Sequence, residues 1–218
     1  METDRVKLNL LLIAIIFIIL SEIASQWLFP DTGMSDITGT GVLRVIQIIG
    51  VLWLVFITDK GFSPIGMARA QIFPGIIRGL LWSAGFGLIT LAGFCVLALV
   101  GINPIKFFHI GFLNGSNSYV SYFLVGGMIG PIAEEIVFRG LIYGFFRKWG
   151  MLSGVLISTI IFVGVHGQSA GLPVTQFAGG LVFAVSYELE QKLMVPILIH
   201  ILGNMAIFAL AVINIRLT

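Results

Sequence analysis

Two adjacent carboxylates and a guanidinium, Glu134, Glu135 and Arg139, lie inside the apolar run GPIAEEIVFRGLIYGFFR at residues 130–147, and they are the groups here best suited to chemistry. Beyond Lys60 the protein has only four acidic residues, and Glu134 and Glu135 are two of them. His166, His200 and Asn204 also interrupt long apolar stretches of the second half. On an α-helix, positions four apart share a face, so Glu135 lies over Arg139 and can be neutralised by it. Glu134 is turned about 100° away and is left free. The same spacing pairs Phe162 with His166, and His200 with Asn204, on two other segments. A carboxylate with an imidazole to share the work suits the activation of water. An imidazole and an amide side by side have donors to offer a developing oxyanion. The reaction that needs this set is hydrolysis of an acyl bond, above all a peptide bond.

Each residue also has a plainer reading. A charged side chain at the centre of a membrane helix costs roughly 2.5–3.5 kcal/mol on insertion scales. Glu135 with Arg139 therefore reads equally well as a buried ion pair that fixes helix packing. A lone intramembrane histidine or asparagine is often an interhelical hydrogen-bond partner. The plain reading does not account for depth. Glu134 is 13 residues from Arg147, and His166 is 13 from Ser153, about 20 Å in each case at 1.5 Å per residue. Asn204, ten residues from Met194, reaches about 15 Å. Glu134, His166, His200 and Asn204 are thus the candidate catalytic set, brought to a common depth, with Glu135 and Arg139 in support.

The elements that must hold this set are membrane helices. Of 218 residues, 58% are hydrophobic and 10% charged, with a mean hydropathy of +1.07, far from a soluble domain. Spans are expected at 8–28, 41–58, 76–100, 119–146, 152–166, 172–188 and 194–214, and none alternates as a barrel strand would. The fourth reads as broken near Gly126 to Pro131. The expected fold is all-α, a polytopic transmembrane bundle of seven to eight helices with the active site inside. Residues 1–218 form a single membrane-embedded domain, with a motif-bearing core at about 119–210.

The net charge of +2 is spread along the loops. It leaves no basic run to track a phosphate backbone, so nucleic acid is excluded as a partner. Lys60, Arg69, Arg78, Arg147, Lys148 and Lys192, against the absence of Lys and Arg around Asp31 and Asp36, place the N-terminus in the cytoplasm, although Lys106 and Arg216 then lie outside. Arg5 and Lys7 before the apolar run have the outline of a signal peptide, but Glu22 breaks its small-residue region, and a retained first helix is expected. Cys95, the single cysteine, reads as a small buried hydrophobe. Segment 59–75 reads either as a surface amphipathic piece or as a plain loop, and His109 as an interfacial histidine.

Glu134-Glu135-x-x-x-Arg139, Phe162-x-x-x-His166 and His200-x-x-x-Asn204, in that order on successive helices, resemble the three motifs of the CPBP intramembrane proteases, the CAAX-protease and bacteriocin-processing (Abi-like) family. The resemblance covers about residues 119–210 and implies that Glu134 and His166 activate the water. It implies also that His200 and Asn204 form the oxyanion site, with Glu135 and Arg139 supporting. Members that cleave prenylated CAAX proteins often carry a second histidine soon after that of the second motif. Gly167-Gln168-Ser169 stands there instead. The likeness therefore leans to the broader prokaryotic branch in the plasma membrane, with roles in peptide or bacteriocin maturation and self-immunity. The implied partners are the lipid bilayer and a membrane-associated peptide or protein substrate.

Other chemistries stay open. Glu134, His166 and His200 are also a zinc set of the His₂Glu kind, and the family has been described both as metal-dependent and as glutamate-type. A glutamate-type mechanism requires no cofactor. Gly167-Gln168-Ser169-Ala170-Gly171 matches G-x-S-x-G, and with Glu188 or Glu190 and then His200 it follows a serine-hydrolase order, but no strand precedes it. An aspartyl protease is excluded, since Asp4, Asp31, Asp36 and Asp59 all precede residue 60 at or outside span ends. Two non-proteolytic readings remain, a non-catalytic membrane scaffold or immunity protein of the same fold, and a small transporter.

Overall fold

The apolar runs fold as helices. The structure is a computed structural model that describes residues 6–28, 37–103, 119–166 and 173–217, with side chains as far as 213. Among the described residues there is no strand, and seven helices follow in order. They are α1 (Leu8–Leu28), α2 (Ile37–Asp59), α3 (Arg69–Leu99), α4 (Tyr119–Trp149), α5 (Met151–His166), α6 (Val174–Glu190) and α7 (Met194–Leu217). Five of these, α1, α2, α3, α4 and α7, have the length and apolar character to cross a membrane. The protein is thus an integral, multi-pass helical membrane protein. At 16 and 17 residues, α5 and α6 fall short of the about 20 needed for a full crossing. They pack on each other, and α6 buries Gly180, Phe183, Ala184 and Tyr187 between α5 and α7.

α4 is continuous, not broken. Pro131 has no N–H to return to the preceding turn, which would ordinarily kink a helix. The backbone widens into a π turn over Val125–Ile129 instead, where the N–H of Gly130 reaches Val125 O, and every junction stays in the right-handed helical region. A second π turn covers Ile136–Tyr143. Such turns insert a residue without ending a helix and often lie at functional positions. The expected eighth piece is absorbed in this way.

Of segment 59–75, residues 60–68 are the connection from α2 to α3 and the rest is helical. The segment holds a 3₁₀ turn, Ser63–Ile65, and then the start of α3, where the N–H of Ala68 is capped by Gln71 Oε1 at 2.9 Å. Gly66 takes φ +71° and its carbonyl accepts from the N–H of Leu193, docking the turn under α7. A side chain there would be strained. Cys95 is exposed, contrary to the expected burial, because α3 turns that face outward beside Leu88, Leu91 and Val96. An apolar exterior of this kind is what lipid contact requires. The core draws on α1, α2, α4, α5, α6 and α7 together. At its centre lie two charged residues with no exposure at all, Glu135 and Arg139.

Candidate active site

Glu135 and Arg139 are paired as their spacing requires, Arg139 Nη1 donating to Glu135 Oε1 at 3.0 Å within α4. The pair is not isolated. Arg139 Nη2 donates to the carbonyl of Gly180 on α6 at 2.9 Å, and the guanidinium lies over the rings of Phe162 and Phe183 at 4.8 and 5.2 Å. A Cβ at position 180 would come within 3.1 Å of Thr159 and 3.6 Å of Arg139 Nη2, so glycine is what lets this carbonyl reach the charge. Desolvated guanidinium–aromatic contacts are worth about 2 kcal/mol. They offset part of the cost of burying the ion.

The same Glu135 oxygen binds a third group, His200 Nδ1 on α7, at 2.7 Å. The carboxylate accepts, so Nδ1 carries the proton and Nε2 points elsewhere. The ring is stacked on Phe183 at 4.5 Å, which fixes its plane. His200 Nε2 then faces Glu134 Oε2 at 3.7 Å. His166, at the end of α5, is held in the same fashion. Its Nδ1 donates to Phe162 O at 2.8 Å, and its Nε2 faces Glu134 Oε1 at 3.6 Å. Glu134 thus has an imidazole from a different helix at each oxygen. Neither gap is a hydrogen bond. Both leave Glu134 and the imidazole able to bind a common water beside them.

Asn204 lies one turn beyond His200, and its Nδ2 donates to the carbonyl of Gly126 in the first π turn at 2.9 Å. That bond ties α7 to the widened part of α4 just ahead of Glu134, and uses one of the two amide hydrogens. Glu134, His166 and His200 are therefore gathered at one carboxylate, while Asn204 is anchored beside them. Among the described residues no three His, Cys, Asp or Glu side chains are placed to hold a metal ion. The donor types of a His₂Glu zinc site are present, but the two imidazoles address opposite oxygens of Glu134.

Both acidic residues of the serine arrangement are tied to other groups. Glu188 is bound by Arg147 Nε and Nη2, both at 2.8 Å, and by the hydroxyl of Tyr143. Glu190 is bound by Arg78 Nε at 2.8 Å and by Trp82 Nε1 at 3.0 Å. The acidic partner of His200 is Glu135. Ser169 and the rest of residues 167–171 lie outside the described residues, as do His109, Lys106, Asp4, Asp31 and Asp36. Sequence reasoning did not foresee Gly180, Phe183 or Gly126, whose contributions are a carbonyl, a ring face and a carbonyl. It also gives no part in the site to Glu22, Arg44 and Gln47, which share a cavity with Glu134 and His166.

Residues 116–206, which contain Glu134, Glu135, Arg139, His166, His200 and Asn204, match the model of the family described as Type II CAAX prenyl endopeptidase Rce1-like. This part of the protein is similar to the Rce1-like family. The sequence is similar to a putative membrane peptidase, YdiL, of Bacillus subtilis, at 37% identity over 37% of this chain and 33% of that protein. It is also similar to the membrane-embedded CAAX protease MroQ of Staphylococcus aureus, at 34% identity over 35% of this chain and 34% of that one. The alignments thus span about a third of the length of these relatives. No solved structure matches. The Rce1-like segment runs from just before α4 to the middle of α7, so α1, α2 and α3 lie outside the match.

Proposed function

We propose that this protein is an intramembrane endopeptidase that hydrolyses a peptide bond in a membrane-associated peptide or protein, using water activated by Glu134 and His166. One observation carries the reading: each oxygen of Glu134 faces an imidazole Nε2, at 3.6 and 3.7 Å, from a different helix. A water between Glu134 and His166 gives a proton to the carboxylate as its oxygen bonds the substrate carbonyl carbon. The C=O electrons move to oxygen, and the oxyanion is met at the site that His200, oriented by Glu135, forms with the remaining N–H of Asn204. Collapse breaks the C–N bond, and the proton held by Glu134 goes to the leaving amine. The distribution of basic residues supports a cytoplasmic N-terminus.

The experiment is cleavage of a reporter peptide in liposomes. Glu134→Gln keeps the shape and removes the base. It is expected to lower kcat by about 10²–10⁴, the usual contribution of a positioned base, while Ser169→Ala keeps full activity. A chelator is expected to leave the rate unchanged. Full activity in Glu134→Gln overturns the mechanism, and loss confined to Ser169→Ala transfers it to the serine. Loss on chelation that zinc restores makes Glu134, His166 and His200 ligands instead. Substrate flux across the membrane without cleavage would mark a transporter, and a protein that binds the peptide but leaves it intact would mark a scaffold or immunity protein.

A further inference from the structure

A second polar cluster lies on α1 and α2. Arg44 Nη1 donates to Glu22 Oε1 and to Gln47 Oε1, each at 2.5 Å. Gln47 Nε2 donates to the same Glu22 oxygen at 3.1 Å and to Ser21 Oγ at 2.9 Å. Gln47 is buried, and its amide is spent on these bonds. Glu22 and Arg44 are not spent. Their side chains are 35% and 30% exposed, and among the described residues their hydrogen bonds run through Oε1 and Nη1. Arg44 keeps the N–H groups of Nη2 and Nε, and Glu22 keeps Oε2. Both residues line a cavity of about 260 Å³ whose wall also includes Glu134 and His166, with Ile48, Val137 and Val165 supplying apolar surface.

An ion pair within two membrane spans is costly, and an apolar pair of the same size would pack α1 on α2 without that cost. Glu22 and Arg44 cancel in charge, so the wall does not select an ion. A substrate carboxylate would meet Glu22 and Glu134, and an ammonium would meet Arg44. What the wall offers is a row of N–H donors beside one free acceptor oxygen. That is the complement of an extended peptide backbone, whose C=O and N–H groups have no water to satisfy them at this depth.

Taking the proteolytic reading of the site as given, we propose that this cavity is the substrate cleft. It takes an extended peptide with apolar side chains. Arg44 donates to a backbone carbonyl of the substrate, Glu22 Oε2 accepts from a backbone N–H, and the scissile bond lies against Glu134 and His166. Arg44 and Glu22 are positioning residues, and the helices outside the Rce1-like match thereby supply half of the recognition.

The test uses the full-length protein in nanodiscs and an internally quenched peptide of apolar residues. The double substitution Glu22→Gln with Arg44→Met removes both charges at once and leaves no lone ion. It is expected to raise KM about tenfold with kcat within about twofold, as loss of uniform binding does. A scan of N-methylated peptides on the unaltered protein should find one position that raises KM about tenfold, and the same peptide should lose nothing further on Glu22→Leu. A fall in kcat at constant KM, losses that add in full on Glu22→Leu, or a scan with no sensitive position overturns the cleft. The scan on unaltered protein holds whether or not the variants fold. Equilibrium binding of the peptide to Glu134→Gln separates this claim from the protease. Binding that needs Glu22 and Arg44 in a protein without proteolysis keeps the cleft and removes the enzyme. Proteolysis that needs Glu134 while binding ignores the pair does the reverse. A protein that neither binds nor cleaves the peptide overturns the cleft as well.

Discussion

Glu134 and Glu135 are neighbours in sequence and opposites in surroundings. Glu135 has no exposure, and one of its oxygens receives both Arg139 and His200. Glu134 is 26% exposed and neither oxygen is within hydrogen-bond reach of the imidazole it faces. A turn of about 100° between successive helical positions separates the two roles. One carboxylate is a fastener at the crossing of α4, α6 and α7, and the other is left with the unsatisfied geometry that chemistry needs.

The strongest way to break this contrast is to measure stability. Arg139→Met strips Glu135 of its cation and leaves the Gly180 carbonyl without its donor. Removal of one partner of a buried pair costs about 3–5 kcal/mol. The value expected here is at the lower end, because His200 stays on the carboxylate. Glu134→Gln should change stability by less than about 1 kcal/mol, as substitutions away from such networks do. Denaturation in a mild detergent checks both. Equal losses would show that the two carboxylates are parts of one structural pair.

A subtler intervention is Glu135→Gln, which keeps the shape and one acceptor but removes the charge that holds His200 Nδ1–H. Groups that orient a functional imidazole are typically worth about 10–100-fold. The expected result is a fall in kcat of that size with KM nearly unchanged. A stability loss with kcat unchanged would reduce Glu135 to packing alone.

How much of this was open to reading in the sequence depended on whether a side chain or a backbone group does the work. Glu134, His166 and His200 are charged or polar among apolar neighbours, and helical spacing sorted Glu135 onto Arg139 and left Glu134 free. The link from Glu135 to His200 joins positions 65 apart, and no local period reveals it. Gly180 and Gly126 act through carbonyls, which every residue has. Their only visible mark is the small size that close packing requires. Pro131 was legible as an interruption, but the π turn that absorbs it is a tertiary solution, stabilised by α2 and α7 packed against that stretch. Arg44 was as legible as Arg139 by composition. It was missed because its partner, Glu22, lies on a different helix and not four residues away.

The smallest expected effect concerns another acidic residue of the second half, one that resembles Glu135 in being paired. Glu190, at the end of α6, is joined to α3 by Arg78 and Trp82. The hydrogen bond from Arg78 holds its carboxyl below the ordinary carboxylate range, and that from Trp82 adds to the effect. A carboxyl depressed by folding adds stability that is full above its ordinary pKa, about 4.3, and is lost as the pH falls through the depressed value. The melting temperature of the wild type should therefore decline on the acid side of about pH 4.3, and Arg78→Met should flatten that decline while lowering the plateau by a few degrees. Because this clamp sits away from Glu134 and the cavity, the rate of peptide cleavage at neutral pH should not change. A variant that loses activity as well as its acid slope would mean that α3, through α6 and Gly180, helps to set the position of Arg139. The fastening would then extend from Glu135 to the far side of the bundle.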